Sequence, residues 1–347
     1  MEHLVCSSGL RYPGFRLVKE GQQFRPAEYT VDIPWRPSGF TSTIDVERVL
    51  HEWAQGATIV LQALHYNRHE VAVFCRALEA CFGHPVQANA YYTPRGSQGL
   101  AVHHDTHDVL VLQVSGEKRW LVYEPALQLP LRNQRYSPEL GAPGKPVEDV
   151  VLGPGDTLYL PRGWLHEAVT SQSDSLHLTI GINVYTWLDA FKAAVESCAE
   201  DVEFRRSLPG DGRVEPHLLE ALEAHLAPDA VLERQRTRFV AGRRPILDGQ
   251  LSQLRALEAL TADTPLERRA GVIAQVQSEH DGIRLSFSGK QLLLPARLAD
   301  EIAFAASASG TFSAHDLPGE LDDAGRLVLV RRLVREGFLR LSEPQRL

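Results

Sequence analysis

The sequence predicts an α+β protein in which a barrel or double-sheet jelly roll of short antiparallel strands is followed by helices and a small mixed module. Three observations carry this. Between Val86 and Tyr185, the segments VQANAYYT, LAVHHD, DVLVLQV, KRWLVYE, EDVVL, DTLYL and SLHLTIGINV are short, apolar or alternating, and separated by Gly and Pro turn signals. After Thr186 the strand pattern stops and helical periodicity replaces it. Near the end, a hairpin-like pair, GIRLSFSG and KQLLLP, stands beside further helical patterns.

Taken in order, IDVERVLHEWAQG places Ile44, Val46, Val49, Leu50 and Trp53 roughly on one helical face, with Thr41 to Thr43 just before it. TIVLQAL is a strand candidate. HEVAVFCRALEACFG has helical spacing at Val71, Phe74, Leu78 and Cys81, with Gly83 as terminator. Gly153-Pro154-Gly155-Asp156 breaks the chain between two strands. TWLDAFKAAVESCAEDVEFRRSL, EPHLLEALEAHLA, PDAVLERQRTRFVAG and LDGQLSQLRALEALTAD form a helical stretch to about Asp263. The hairpin with ARLADEIAFAA and AGRLVLVRRLVREG resembles a winged helix in its order. The expected domains are therefore residues 1–186, 187–263 and 264–347.

At 347 residues the chain is too long for one compact core. It is 44% hydrophobic and 23% charged, as in ordinary globular proteins, and its net charge of −8 disfavours broad attraction to nucleic acid. From Glu267 onward, eleven basic residues meet eleven acidic ones, so a structural or protein-docking role is expected there and direct nucleic-acid binding is disfavoured. Cys6, Cys75, Cys81 and Cys198 form no C-x-x-C pair, which suits a reducing compartment. No signal peptide or membrane-length apolar run is evident. A cytoplasmic protein with no membrane contact is expected.

The chemistry is carried by an H-x-D pair and a distant histidine. His103 and Asp105 lie in GLAVHHDTHDVLVLQ, and His166 closes VLGPGDTLYLPRGWLHEAV. On a strand, alternate residues share a face, so His103 and Asp105 can converge on one ion while His104 points away. Two imidazoles and one carboxylate form the facial triad of non-heme Fe(II) oxygenases, with positions left open. The plain alternative is a surface pair and a structural histidine, but the strand-and-turn context of His166 argues against it. Beside Asp105, Val109 and Val111 would exclude water.

Other residues are open to two readings. Lys118, thirteen residues after Asp105, sits in S-G-E-K, where spacing alone favours a solvated turn lysine. Asn89 and Tyr91 share a strand face and could bind a cosubstrate or simply form a polar edge. His177 alternates with Thr179 and could face the site or be a core histidine. His104 and His107 are expected outside the ligand set, and Tyr92, Arg95 and Gln98 could line the entrance.

NAYYTPRGSQGLAVHHDTHDVLVLQVSGEKRWLVYEP, LGPGDTLYLPRGWLHEAV and SLHLTIGI closely resemble the JmjC-domain ribosomal oxygenases, over about Val86 to Val184. The resemblance implies a double-stranded β-helix of the cupin/JmjC type in residues 1–186, a helical dimerisation domain in 187–263 and a winged-helix-like domain in 264–347. It implies Fe(II) on His103, Asp105 and His166, with 2-oxoglutarate and O2 as cosubstrates. Lys118 becomes the partner of the distal 2-oxoglutarate carboxylate, and Asn89, Tyr91 and His177 fall in the cosubstrate pocket. Lysine at this position likens the chain to the histidyl-hydroxylating branch. The implied activity is hydroxylation of a ribosomal or translation-associated protein by a homodimer. The alternatives are an oxygenase of a small molecule or peptide natural product, and a non-catalytic cupin-like binding protein.

Overall fold

Alternating side chains make the strands of the first half two-faced, and the chain uses both faces. The computed structural model describes residues 1–342 except Ser8, 35–38, Asp211, Gly212 and Val214. They fall into two compact units, one of Met1–Glu79 with His84–Val184, the other of Ala80–Gly83 with Tyr185 onward. The chain first forms α1 (Glu2–Ser7), β1 (Phe15–Lys19), β2 (Gln22–Gln23), β3 (Thr30–Ile33), β4 (Phe40–Ile44), α2 (Val46–Ala54), β5 (Thr58–Leu61) and α3 (His69–Phe82). Then come β6 (Val86–Thr93), β7 (Asp108–Ser115), β8 (Lys118–Tyr123), β9 (Glu148–Leu152), β10 (Thr157–Leu160), β11 (Leu165–Val169) and β12 (Ser175–Ile182).

A seven-stranded sheet runs β10-β7-β12-β6-β5-β1-β2, and a three-stranded sheet runs β11-β8-β9. All their pairings are antiparallel. Val109, Val111, Trp120, Val122, Leu152 and Leu160 make one core cluster from the two sheets. Two further clusters use other residues of the larger sheet. Phe15, Leu17, Ile59 and Leu61 pack with Val49 of α2, and Val86, Ala88, Ile180 and Ile182 pack with Cys75 of α3. Each fully buried Val, Leu, Ile or Phe among them contributes about 1.5–3 kcal/mol. A buried Arg76–Glu79 ion pair of 2.7 Å also fixes the entry to β6, because Glu79 accepts the Val86 N–H at 3.0 Å.

Most expected strands are present, but LAVHHD is not a ladder strand. His103 makes only an isolated bridge to His166. The segment is pinned at separate points, including Gln98 opposite Val169 and the Gly163 N–H donating to the Asp105 carbonyl. β11 supplies the ladder on that side, where the sequence reading placed only a turn. The Thr41–Thr43 run belongs to β4, and α2 is capped by Asp45, which accepts from the Arg48 N–H at 3.3 Å. TIVLQAL stops as a strand at Leu61, since Ala63 turns left-handed with φ +51°.

The second unit begins with α4 (Trp187–Ser197), opened by a Thr186–Asp189 capping box. It continues with α5 (Pro216–Leu226), α6 (Pro228–Ala241), α7 (Gln250–Ala256), β13 (Leu266–Arg268), β14 (Ala274–Glu279), β15 (Gly282–Phe287), β16 (Lys290–Leu294), α8 (Ala299–Ser307), α9 (Asp323–Glu336) and β17 (Leu339–Leu341). The expected hairpin is β15–β16, and β14 extends it to three strands. Its core includes Leu285, Phe287, Ile302, Leu333, Val334 and Phe338.

The β7–β8 turn places Lys118 and depends on Gly116, at φ +64°, where a Cβ would run into the Asp174 carbonyl oxygen. Gly116→Ala is expected to destabilise the protein by more than ~1 kcal/mol, read as a lower urea midpoint.

Candidate metal centre

His103 and His166 reach the same point because their backbones pair. The His103 N–H donates to the His166 carbonyl at 3.1 Å, and the His166 N–H donates back at 2.8 Å. This holds the two rings 4.4 Å apart, centre to centre. Asp105 lies two residues along, with an oxygen 3.8 Å from His166 Nε2. One ligand atom from each of the three lies within 4.8 Å of the others. Among the described residues this is the one His/Cys/Asp/Glu group with metal-binding geometry.

Local hydrogen bonds set both imidazoles for coordination. His103 Nδ1–H donates to the Ala101 carbonyl at 2.7 Å, and His166 Nδ1–H donates to the Trp164 carbonyl at 3.1 Å. A carbonyl only accepts, so in the neutral rings Nδ1 carries the proton and Nε2 keeps its lone pair. Burial, then the charge of His103, holds the His166 pKa down to about 4. Burial acts to raise the Asp105 carboxyl, but His166, His107, His103 and His104 outweigh it and hold it below its ordinary value. With His166 neutral and Asp105 ionised near neutral pH, the set offers imidazole nitrogens and a carboxylate, which suits a divalent transition metal.

The triad opens into a cavity of ≈ 520 Å³. On β8, Lys118, Trp120 and Val122 alternate on one face, and Val122 pairs with His166. Lys118 is four residues from Val122, roughly 13 Å along the strand. It is 4% exposed, and its ammonium donates to Thr93 Oγ1 at 2.9 Å. No carboxylate pairs with it among the described residues, and burial pulls its pKa down to about 7. Tyr91 and His177 stack face to face, 5.0 Å apart with planes at 1°, and Trp120 meets His177 edge-on at 5.4 Å. His177 Nδ1 and Trp120 Nε1 are buried without a hydrogen-bond partner. Burial, then Lys118, keeps His177 well below its ordinary pKa, so it is neutral.

Comparison with known proteins settles the type of domain: the JmjC domain family matches residues 61–190. The chain carries a JmjC domain. It is 40% identical over 212 residues to the bifunctional lysine-specific demethylase and histidyl-hydroxylase NO66 of Drosophila persimilis, covering 57% of this chain and 31% of that protein. Ribosomal oxygenase 1 of Homo sapiens is 41% identical over 147 residues, 40% of this chain and 23% of its own length. These matches span less than a third of either relative. The structure of the Escherichia coli ribosomal oxygenase YcfD in complex with cobalt and 2-oxoglutarate aligns with a TM-score of 0.54 and 16% identity, over 98% of this chain and 89% of that one. That likeness is one of fold. The resemblance to JmjC ribosomal oxygenases carried by the sequence motifs is borne out.

Within the JmjC domain, His103, Asp105, His166, Lys118, Tyr91 and His177 all line the cavity. Asn89 does not. It shares the face of Tyr91, but its side-chain oxygen accepts the Ala63 N–H at 3.0 Å and steadies the left-handed turn there. The entrance residues are also corrected. Tyr92 stacks on Trp53, the Arg95 N–H binds Asp174, and the Gln98 amide donates to Glu167 at 2.8 Å. His104 and His107 are outside the triad yet line the cavity, and His104 Nε2–H donates to the Gln134 carbonyl at 3.0 Å.

The sequence reading missed Arg16, Thr93, Trp120, Arg132, Arg135 and Tyr136. Of these, all but Thr93 line the cavity, and Thr93 holds Lys118. Trp120 and Thr93 were legible from alternation with Lys118 and Tyr91. The three from the long connection between β8 and β9 had no periodic signal.

His166→Ala and Asp105→Ala should each weaken Mn(II) binding at least about tenfold, measured by electron paramagnetic resonance. In the metal-free protein, an unfolded histidine titrates near ~6.5, whereas folded His166 titrates near about 4. The unfolded chain therefore binds more protons between these values, and stability should fall as pH drops through that window. His166→Gln should flatten the fall in urea midpoint. An unchanged slope would show that burial does not keep this imidazole neutral.

Proposed function

We propose that this protein is an Fe(II)- and 2-oxoglutarate-dependent oxygenase that hydroxylates a side chain of a ribosomal or translation-associated protein. One observation carries the reading: Lys118, a buried ammonium with no carboxylate partner among the described residues, shares a cavity with the facial triad. A buried cation is costly without a counter-charge, and a ligand carboxylate supplies one. The donor set fits Fe(II), and the orphaned Trp120 N–H, the half-buried Tyr91 and the unpaired His177 nitrogen give a dicarboxylate further polar partners. Fe(II), which His103, Asp105 and His166 would hold, would with 2-oxoglutarate and O2 supply the oxidation of a C–H bond to an alcohol, 2-oxoglutarate being converted to succinate and CO2.

The chain's own residues bind and exclude. His103, Asp105 and His166 hold the metal on one side and leave the cavity side open. Lys118 anchors the far carboxylate, and the Tyr91–His177 stack with Trp120 forms a rigid wall. Val109, Val111 and Leu160 keep that space dry. A ribosomal target is supported by the relatives named ribosomal oxygenases, and Lys118 with the NO66 likeness supports a histidyl side chain.

The same reading gives residues 187–263 a dimerisation role and residues 264–347 a winged-helix-like docking role. Exposed Trp187, Leu188, Phe191 and Val195 along α4 support a homodimer. Four free cysteines suit a reducing cytoplasm. No described helix is long and apolar enough to cross a membrane.

Iron-loaded protein incubated with 2-oxoglutarate and extracted ribosomal proteins should add one oxygen to a single target, seen as a +16 mass shift that His166→Ala abolishes. Turnover of a free metabolite with every ribosomal protein unmodified would instead favour a small-molecule oxygenase. Iron binding unaffected by His166→Ala would favour a non-catalytic binding protein. Lys118→Ala should raise the Kd for 2-oxoglutarate at least about tenfold, by calorimetry with Mn(II). Because Lys118 titrates at about 7 in the empty cavity, the wild-type affinity should weaken as pH rises above that value. A flat profile to pH ~9 would count against this anchor.

A further inference from the structure

We infer that Arg16 is a substrate-binding residue, and that its guanidinium holds an acceptor oxygen of the segment being hydroxylated, a carboxylate or a main-chain carbonyl. This rests on the reading of the cavity as an oxygenase site. The sheet register places it there. Arg16 pairs with Val60, Val60 with Tyr91, and Tyr91 with His177, so one row crosses β1, β5, β6 and β12. All four side chains of that row line the metal cavity. Arg16 stands two strand spacings from Tyr91, roughly 10 Å between Cα atoms, and its charge acts on the Tyr91 phenol.

Its chemistry is unfinished. The neighbouring Phe15 and Leu17 are wholly buried on the opposite face, as a core strand requires, so Arg16 is not a surface residue of a loose edge. Its Nε is buried without a partner, and one terminal nitrogen donates to the Gln23 side chain at 3.2 Å. No carboxylate pairs with it among the described residues. A guanidinium has five N–H donors in a planar fork, and a buried donor without an acceptor costs about 1–3 kcal/mol. A ligand oxygen arriving in the cavity would satisfy it.

Lys118 and Arg16 stand on different walls, which separates their roles. Lys118 comes from β8 of the small sheet, beyond Val122 and His166. Arg16 comes from β1 of the larger sheet, paired with β5. The cavity is therefore lined by two cations from different sheets, neither with a carboxylate partner among the described residues. A second cation serves a second ligand.

The test uses full-length protein, Arg16→Gln and Arg16→Lys, with extracted ribosomal proteins as the probe and equal thermal midpoints as the check on folding. Arg16→Gln should raise KM for the modified protein at least about tenfold, with a smaller change in kcat and a 2-oxoglutarate Kd within about twofold of wild type. Arg16→Lys should recover part of the loss. Peptides spanning the modified residue, with each Asp or Glu changed to its amide, separate a carboxylate from a carbonyl: only a carboxylate contact is lost. A tenfold weaker 2-oxoglutarate Kd in Arg16→Gln would make Arg16 a cosubstrate residue and overturn the inference. Unchanged KM would leave it a structural partner of Gln23 and also overturn it. If wild-type protein modifies no ribosomal protein and consumes no 2-oxoglutarate, the oxygenase reading itself fails, and the inference with it.

Discussion

The site depends on the pair of backbone hydrogen bonds exchanged by His103 and His166. Those two bonds join a segment without a continuous ladder to β11, and so bring ligands sixty-three residues apart onto one point. A third bond, from the Gly163 N–H to the Asp105 carbonyl, fixes the carboxylate's side of the same segment. No side chain need reach far. The register does the positioning, and the Nδ1–H bonds to Ala101 and Trp164 orient the rings.

Around that point the cavity presents several N–H donors that lack acceptors among the described residues. Lys118, Arg16 and the Trp120 indole all present N–H groups that the described protein leaves partly or wholly unpaired. Folded interiors avoid this arrangement because each unmet donor lowers stability. Its concentration in one cavity, beside a triad with metal-binding geometry, indicates anionic or oxygen-bearing ligands. The rigid stack of Tyr91 and His177 adds shape to that preference.

Much of this was legible in the sequence, for physical reasons. Strand alternation identified most strands of the two sheets, because a strand's period of two survives without tertiary context; it also paired His103 with Asp105, although their segment is held by an isolated bridge and not by a ladder. Lys118 was legible only through the family motif; its local sequence, S-G-E-K, is that of a solvated turn. Burial comes from the sheet register, which no local pattern encodes. Asn89 failed for the opposite reason: alternation gave its face correctly, but a backbone N–H at Ala63 claims its amide. Arg16 was missed because β1 was not recognised as a strand, although Phe15, Leu17 and the intervening Arg16 and Val18 alternate as one.

His104 gives the ligand segment a second function. It stands between the two ligands His103 and Asp105, with its ring N–H on the Gln134 carbonyl and its edge against Tyr136. Gln134 and Tyr136 belong to the long connection that also carries Arg132 and Arg135 to the cavity. The ligand segment and this part of the cavity's lining are thus in direct contact. One imidazole, set between two metal ligands, also anchors a stretch of the cavity's lining that has no strand or helix of its own.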